Sequence, residues 1–580
     1  MKKIFNNSIG MNNLNEVVEL YGWVSKIRKL GGLIFIDLRD RSGIVQVVVR
    51  PENDYYEEAS KLKSEFVIKV IGTVVERENK NKNIPTGDIE IDLSKLEVLN
   101  KSLDLPFTIT DEVTALENTR LKYRYLDLRR PELKEILLLR HRVTTIIRNY
   151  MNDNSFIEVE TPILCKSTPE GARDFLVPSR INKGSFYALP QSPQLLKQLL
   201  MVSGIERYYQ LAKCFRDEDL RSDRQPEFTQ LDLEMSFVEE EDIISLVEGL
   251  IKEIFEKEKG MDVKLPLQRM KYDEAIDKYG SDKPDLRFGM EIKDLTNIFK
   301  ETDFVPFNNS LDNNGIINAI VVKDKSDKYS RKDLDKLNDF VKDFTKGNVF
   351  YLKYNDNTFS GSISKILDEG LEKELVNELK LTSNDLVLIM TGTKKEVKAS
   401  LGALRCKVAR DMNMIAKEDY KMLWVTDFPS FEYSEEEKRY VACHHPFTAP
   451  KDSDVDKLLT DKGNCYSKAY DIVINGYEVG GGSIRIHDED IQNKMFEALN
   501  LTKEDIEGKF GFFVNALKYG TPPHGGLAIG LERLIMILAG TDNIKDVIAF
   551  PKTQSGTDLM CESPSMVDEK QLDELDLRLK

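Results

Sequence analysis

Along residues 227–236, "EFTQLDLEMS", polar and apolar side chains alternate: Phe228, Gln230, Asp232 and Glu234 share one parity, Leu231, Leu233 and Met235 the other. A period of two predicts a strand with one face on a core and the other turned to something polar. The run before it, "ERYYQLAKCFRDE", reads as its antiparallel partner ending at Arg216, with Arg221 and Arg224 in the loop between them. The alternation recurs in "AYDIVINGYEVGGGSIRIH", where Asn475-Gly476 between apolar runs predicts a two-residue type I′ hairpin turn. That turn sets Val473 opposite Glu478 and Asp471 opposite Gly480, leaving Asp471 and Glu478 diagonal neighbours on one face. Simple parity then sends Arg485 to the other face, unless the run of glycines 480–482 holds a bulge; close approach of a ligand is the expected reason for that run.

Elsewhere the pattern marks domains. Residues 1–104 are short β-runs separated by Gly31-Gly32, Ser42-Gly43 and Thr86-Gly87, which predicts a small five-stranded barrel. By itself such a barrel either binds oligonucleotides or packs on a neighbour. Residues 105–135 read as a polar hinge. Pro131 opens a helix with Leu133, Ile136, Leu137, Val143 and Ile147 near one stripe, followed by the strand "FIEVETPIL", which Pro162 confines to an edge. Between a first β-rich part (136–285) and a second (413–560), residues 286–412 alternate strands and helices and read as an inserted α/β domain. A capping box at Ser330 and Asp333 opens one of its helices. Residues 561–580 end in a short acidic amphipathic helix.

Composition sets the class. A chain of 580 residues is too long for one core, and 41% hydrophobic with 31% charged residues is the balance of a folded, soluble protein. No apolar run reaches a membrane-spanning length, and the start lacks the apolar stretch of a secretory signal. Six scattered cysteines without a CxxC pair favour reduced thiols in a cytoplasm over disulfides or zinc. A net charge of −16 argues against a generic nucleic-acid coat but leaves room for a local basic patch.

Arginine at a strand end (Arg216) suits bidentate contact with phosphate, Phe228 offers a stacking surface for a base, and Asp232 and Glu234 offer acceptors to an ammonium or hydroxyl. A hairpin laced with surface ion pairs would show the same spacing. Asp471 and Glu478 can share magnesium ions that also hold phosphates. Lys197, near the start of the helix in "ALPQSPQLLKQLL", works against the helix dipole, which an anion would offset. Glu170 stands on the loop "STPEGARDF" and His444-His445 on "HHPFT"; in "PPHGGLAIGLERLIMIL" glycines lead into an apolar helix with Glu532 and Arg533 in its first turn.

Together and in this order, these segments resemble the class II aminoacyl-tRNA synthetases and, over essentially the whole length, their bacterial aspartyl type. Motif 1 corresponds to the long helix with "FIEVETP", motif 2 to "FRDE…RQPEFTQLDLE" and motif 3 to "GLAIGLERL", while "QSPQLLKQ", "HHPFT" and "YEVGGGSIRIH" match the aspartate-specific segments. The resemblance implies an α+β multidomain protein: an N-terminal β-barrel of the OB-fold, a six-stranded antiparallel catalytic sheet, the inserted domain, and a homodimer formed through motif 1. It implies ATP, Mg2+, L-aspartate and tRNA(Asp) as reactants and a cytoplasmic enzyme without a membrane partner. Arg216 is implied at the ATP α-phosphate and the aspartate α-carboxylate, Phe228 under adenine, Arg533 over it, and Asp217, Glu218, Gln225, Gly530, Leu531 and Glu532 also at the nucleotide. Asp471 and Glu478 are implied as Mg2+ ligands. Lys197 and Arg485, with Gln194 and His444 or His445, are implied at the aspartate side chain; Asp232 and Glu170 at its ammonium; and Arg28, Phe35 and Gln46 at the anticodon. Leu30 leans toward the form that charges tRNA(Asp) alone. The rivals are activation of asparagine or lysine, and a non-catalytic RNA-binding paralogue, against which both Arg216 and Arg533 stand.

Overall fold

The protein is described by a computed structural model covering residues 4–168, 172–220, 222–345 and 347–579. It divides into two compact units, Met1–Ala115 and Leu116–Lys580.

In the first unit, strands β1 (Val17–Leu30), β2 (Leu33–Arg39), β3 (Ile44–Val49), β4 (Val67–Glu76) and β5 (Ile89–Asn100) close into a barrel in the order β1-β2-β3-β5-β4. Alternate positions such as Val18, Leu20, Ile34, Ile36, Ile68 and Val70 fill its interior. Gly31 and Gly32, both at positive φ, make the tight turn that sets Leu30 opposite Leu33.

The second unit starts its core with helix α1 (Pro131–Asp153), whose first helical residue is Pro131. Its buried stripe is Leu133, Ile136, Leu139, Val143, Ile146, Ile147 and Met151; Leu137, expected in the stripe, is only half-buried, because a 3.6-residue period favours Leu139. The expected strand "FIEVETPIL" pairs only at β6 (Ile157–Glu158), an edge strand parallel to its neighbour. The remaining main strands are β7 (Arg207–Phe215), β8 (Glu227–Ser236), β9 (Gln268–Lys271), β10 (Lys293–Asp294), β11 (Ile316–Val322), β12 (Phe350–Asn355), β13 (Thr358–Gly361), β14 (Asp385–Gly392), β15 (Met422–Thr426), β16 (Ala469–Ile474), β17 (Tyr477–Ile484) and β18 (His524–Gly530). One sheet runs β9-β15-β16-β17-β18-β8-β7-β6. Its six inner strands are antiparallel throughout, and parallel ladders add β9 and β6 at the two edges.

Strands β10 to β14 form a separate sheet in the order β10-β11-β14-β12-β13. Strand and helix alternate here as the sequence pattern indicates, yet all four ladders are antiparallel. The helices that matter below are α2 (Gln194–Val202), α3 (Glu240–Lys259), α4 (Tyr272–Tyr279), α5 (Lys394–Asp411) and α6 (Leu531–Ala539). Helices α1, α3 and α6 cover one face of the large sheet and bury Leu231, Leu233, Tyr470, Ile472 and Ile529 beneath them. The other face is left to polar side chains, and a cavity of about 800 Å³ opens there.

Candidate active site

Strands β7 and β8 pair with Phe228 opposite Cys214 and Asp232 opposite Gln210. Leu231, Leu233 and Met235 enter the core, so Phe228, Gln230 and Asp232 line the cavity. Glu234 shares their parity and is completely buried. Helix α2 brings in Lys197, whose ammonium lies 2.6 Å from Asp232 Oδ1 and 3.3 Å from Glu234 Oε2. From β17's end, Arg485 donates to both Glu234 oxygens at 2.9 and 3.2 Å and to Ser483 Oγ at 2.7 Å, and its Nη1 lies 2.9 Å from His445 Nε2. Two buried cations thus face two buried carboxylates.

Burial would raise the Glu234 carboxyl, but the Arg485 and Lys197 charges outweigh it and hold it below the usual carboxylate range. Burial pushes Asp232 up against the pull of Lys197. His444 is pushed down to about 4 and His445 well below its usual value, both by burial and then by Arg485, so both imidazoles are neutral at pH 7. Three buried polar atoms here, Asp232 Oδ2, Gln194 Nε2 and His444 Nε2, have no hydrogen-bond partner among the described residues. Orphaned acceptors and donors on residues that line one cavity mark the place of a polar ligand.

At the other end of the cavity stands the β16–β17 hairpin. Asn475 and Gly476 sit at φ 53° and 81°, as a type I′ turn requires, and Val473 pairs with Glu478. Beyond that pair the expected register fails: Ile472 meets Gly480, and Asp471 lies opposite Gly481, not Gly480. Val479 is the extra residue of a bulge, and its side chain is buried in the core. The bulge reverses the parity after it, so Glu478 and Arg485 both reach the cavity. All three glycines line the cavity, where ligand approach was the expected reason for them, and the neighbouring strand adds a second requirement. A Cβ on Gly480 would stand 2.8 Å from Ala528 O, and one on Gly482 would collide with Gly526 O, so these two are required by the neighbouring strand. Only Gly481 faces the carboxylates: a Cβ there would come within 2.5 Å of Asp471 Oδ1 and 3.7 Å of Glu478 Oε1.

Burial and the facing Glu478 carboxylate push Asp471 well above the usual range. A hard divalent cation between the two would relieve that repulsion, and two oxygen donors over a glycine floor fit one that completes its shell with phosphate oxygens. Among the described residues no cluster of three or more metal-ligating side chains exists.

Arg216 places its guanidinium 5.0 Å from the Phe228 ring centroid. Arg533, in α6, donates to Glu478 O at 2.5 Å and pairs with Asp223 at 3.3 Å. Arg216, Arg485 and Arg533 line the one cavity together with Gln194, Lys197, Glu218, Gln225, His444, His445, Asp471, Glu478, Gly530 and Glu532. Several of these are engaged. Glu218 pairs with Arg224 at 2.9 Å, and Gln225 exchanges hydrogen bonds with the Lys552 backbone at 3.1 and 2.8 Å. Glu532 accepts from Arg140 Nη2 and from Thr229 N, each at 2.9 Å, tying α6 to α1 and β8. Two residues lie elsewhere: the Leu531 side chain is buried in the core under the sheet, and Asp217 stands 3.8 Å from Arg173. Glu170 and Arg221 lie outside the described residues. Ser483 belongs to the site although sequence reasoning assigned it no role, and Glu234, expected as an acceptor for an ammonium or hydroxyl, has its oxygens taken by Arg485 and Lys197.

On the barrel, Arg28 pairs with Phe35 across β1 and β2 and donates to Asp37 at 2.6 Å and to Gln46 at 3.0 Å. Gln46 donates in turn to Glu90 at 2.6 Å. These residues share the barrel's outer face.

Residues 116–554 match the family described as tRNA synthetases class II (D, K and N), and residues 18–99 match the OB-fold nucleic acid binding domain. An aspartate--tRNA ligase of Streptococcus agalactiae is 51% identical, covering 100% of this chain and 99% of that protein. One of Staphylococcus epidermidis is 52% identical over 98% and 97%. An aspartate--tRNA(Asp/Asn) ligase of Anoxybacillus flavithermus is 51% identical over 98% and 96%. The crystal structure of asparaginyl-tRNA synthetase from Pyrococcus horikoshii with asparaginyl-adenylate superposes with a TM-score of 0.60 at 20% identity, over 95% of this chain and 98% of that one.

Proposed function

The chain belongs to the class II tRNA synthetases of the D, K and N group, and from that premise we propose that it activates L-aspartate with ATP and transfers it to the 3′ end of tRNA(Asp). The aspartate α-carboxylate attacks the α-phosphorus of ATP; a carboxyl oxygen to phosphorus bond forms, the bond to the β-phosphate oxygen breaks, and pyrophosphate leaves. A carboxylate is already a nucleophile at neutral pH, so the work is positioning and charge balance. Arg216 bridges the two anions, Phe228 carries the base, and Arg533 reaches the far phosphates. Asp471 and Glu478 would hold Mg2+, which when bound offsets charge on the polyphosphate. The terminal ribose hydroxyl of tRNA then attacks the adenylate carbonyl, and AMP leaves.

The observation that carries the choice of amino acid is the Lys197, Asp232, Glu234 and Arg485 network with its orphaned Asp232 Oδ2. That oxygen suits an ammonium, and the two cations suit a side-chain carboxylate. Asparagine would bring no charge to them, and a lysine enzyme would need acidic groups in their place. ATP–pyrophosphate exchange with the three amino acids separately tests this: exchange is expected with aspartate alone. Arg485→Leu is expected to lower it by roughly two to four orders of magnitude while ATP binding persists, the effect of leaving a buried carboxylate unpaired. Equal exchange with asparagine overturns the assignment. Charging of purified tRNA(Asp) and tRNA(Asn) tells whether one or both are accepted.

Exposed apolar side chains along the motif 1 segment and its neighbouring hairpin, Ile157, Ile163, Leu164, Leu176 and Phe186, support a homodimer through this face. Free cysteines support a cytoplasmic setting, and among the described residues no helix is long and apolar enough to cross a membrane.

A further inference from the structure

The connector from α4 into the inserted domain, residues 280–292, carries Asp282, Lys283, Asp285 and Arg287. Asp282 lines the cavity. The Lys283 ammonium stands 3.7 Å from Glu478 Oε2 and 3.7 Å from Asp282 Oδ1, and its side chain is 46% exposed, so it is held loosely. The backbone around it is held tightly. Arg287 grips Asp285 at 2.9 and 2.6 Å and reaches Asn475 O, at the turn of the β16–β17 hairpin, at 3.4 Å. A Cβ on Gly476 of that turn would come within 2.9 Å of Asp285 Cβ.

From the opposite side comes Arg405 of α5, 1% exposed. It donates to Asp285 O at 2.8 Å and Gly289 O at 2.5 Å, and its guanidinium lies 4.8 Å from the Tyr279 ring and 4.6 Å from that of Phe288. Where α5 crosses the end of α4, a Cβ on Gly280 would collide with Lys398 O, and one on Gly402 would stand 2.6 Å from Gly280 O. A guanidinium spent on main-chain carbonyls fixes a backbone path. The path it fixes ends in the cation beside Glu478, and a polyphosphate must approach three carboxylates there, Asp282, Asp471 and Glu478.

We propose that Lys283 is a further ATP-binding residue, the cation at the pyrophosphate end of the site, and that Arg405 of the inserted domain is a positioning residue that fixes it through the connector. This rests on the ATP-activating role above and gives the inserted domain a share in it. Without nucleotide, Lys283 neutralises Glu478 and competes with a divalent cation; with ATP present, it turns to the phosphate oxygens. Its removal therefore acts in opposite directions on the two ligands.

In the full-length protein, Lys283→Met is expected to bind Mn2+ alone about three- to five-fold more tightly in an electron-paramagnetic-resonance titration, the scale of an exposed ion pair. In aspartate-dependent exchange the same variant is expected to raise the KM for Mg·ATP roughly ten-fold, the scale of a hydrogen bond to a charged group, with the KM for aspartate unchanged. Arg405→Lys keeps the charge but not the planar fork, and is expected to reproduce the split between the two KM values in weaker form. Should that variant not fold, the exposed Lys283→Met decides alone. Unchanged or weakened Mn2+ binding, or KM values for ATP and aspartate that move together, overturns the proposal. Wild-type protein without aspartate-dependent exchange overturns the activity assignment instead, and the Mn2+ titration still judges Lys283.

Discussion

Lys197 and Arg485 are buried cations, and what makes them tenable is that Asp232 and Glu234, one strand step apart, point to the same side of β8. The alternation in "FTQLDLE" makes that side legible from sequence for Phe228 and Asp232. The partnership of Glu234 with Arg485 was not legible, because the two stand 251 residues apart and only the sheet order brings β17 and β8 either side of β18. The same burial acts on His444. In the unfolded chain its imidazole protonates near 6.5; in the fold it stays neutral down to about 4, through burial and Arg485, against a small opposing pull from Asp282. A depressed folded value means the stability is fully present above about 6.5 and is lost as pH falls toward about 4, at about 1.4 kcal/mol per unit. Thermal unfolding followed against pH checks this: between those values the wild-type midpoint is expected to fall more steeply than that of His444→Gln.

At the scale of elements, turn chemistry and periodicity locate the hairpin, and Asn475-Gly476 makes the turn expected of it. The register beyond Val473 was not legible, because a bulge depends on what the neighbouring strand and core accept: Val479 turns into the core while Glu478 stays at the cavity. "FIEVETPIL" fails as a long strand for a related reason, since at a sheet edge the regular ladder is confined to Ile157 and Glu158. The glycines separate two roles that look identical in sequence. Gly482→Ala sets a methyl against backbone that cannot yield, and is expected to cost about 1–3 kcal/mol or more in chemical denaturation. Gly481→Ala meets the Asp471 side chain, which can rotate away. It is expected to leave stability within about 1 kcal/mol but to weaken binding of a non-hydrolysable Mg·ATP analogue in a calorimetric titration.

In the whole molecule, the sequence pattern changes at about residue 104 and the compact units part at Ala115 and Leu116, a difference made up by the polar connector. Each unit buries its own apolar cluster, so the two are expected to fold separately. A fragment spanning 116–580 should keep aspartate-dependent pyrophosphate exchange and lose most tRNA charging, and one spanning 1–115 should show cooperative unfolding alone; loss of exchange in the larger fragment would show that activation depends on the barrel. The net charge of −16 said little about the site, because its cations are enclosed and balanced locally. The insertion between the two halves of the catalytic sheet also has a temporal side. On a ribosome adding about 5–20 residues per second, the 251 residues from Glu234 to Arg485 take on the order of ten to fifty seconds to make. During that interval the nascent chain holds the acidic half of its network without the arginine that completes it, so the interior can set only when the later strands arrive.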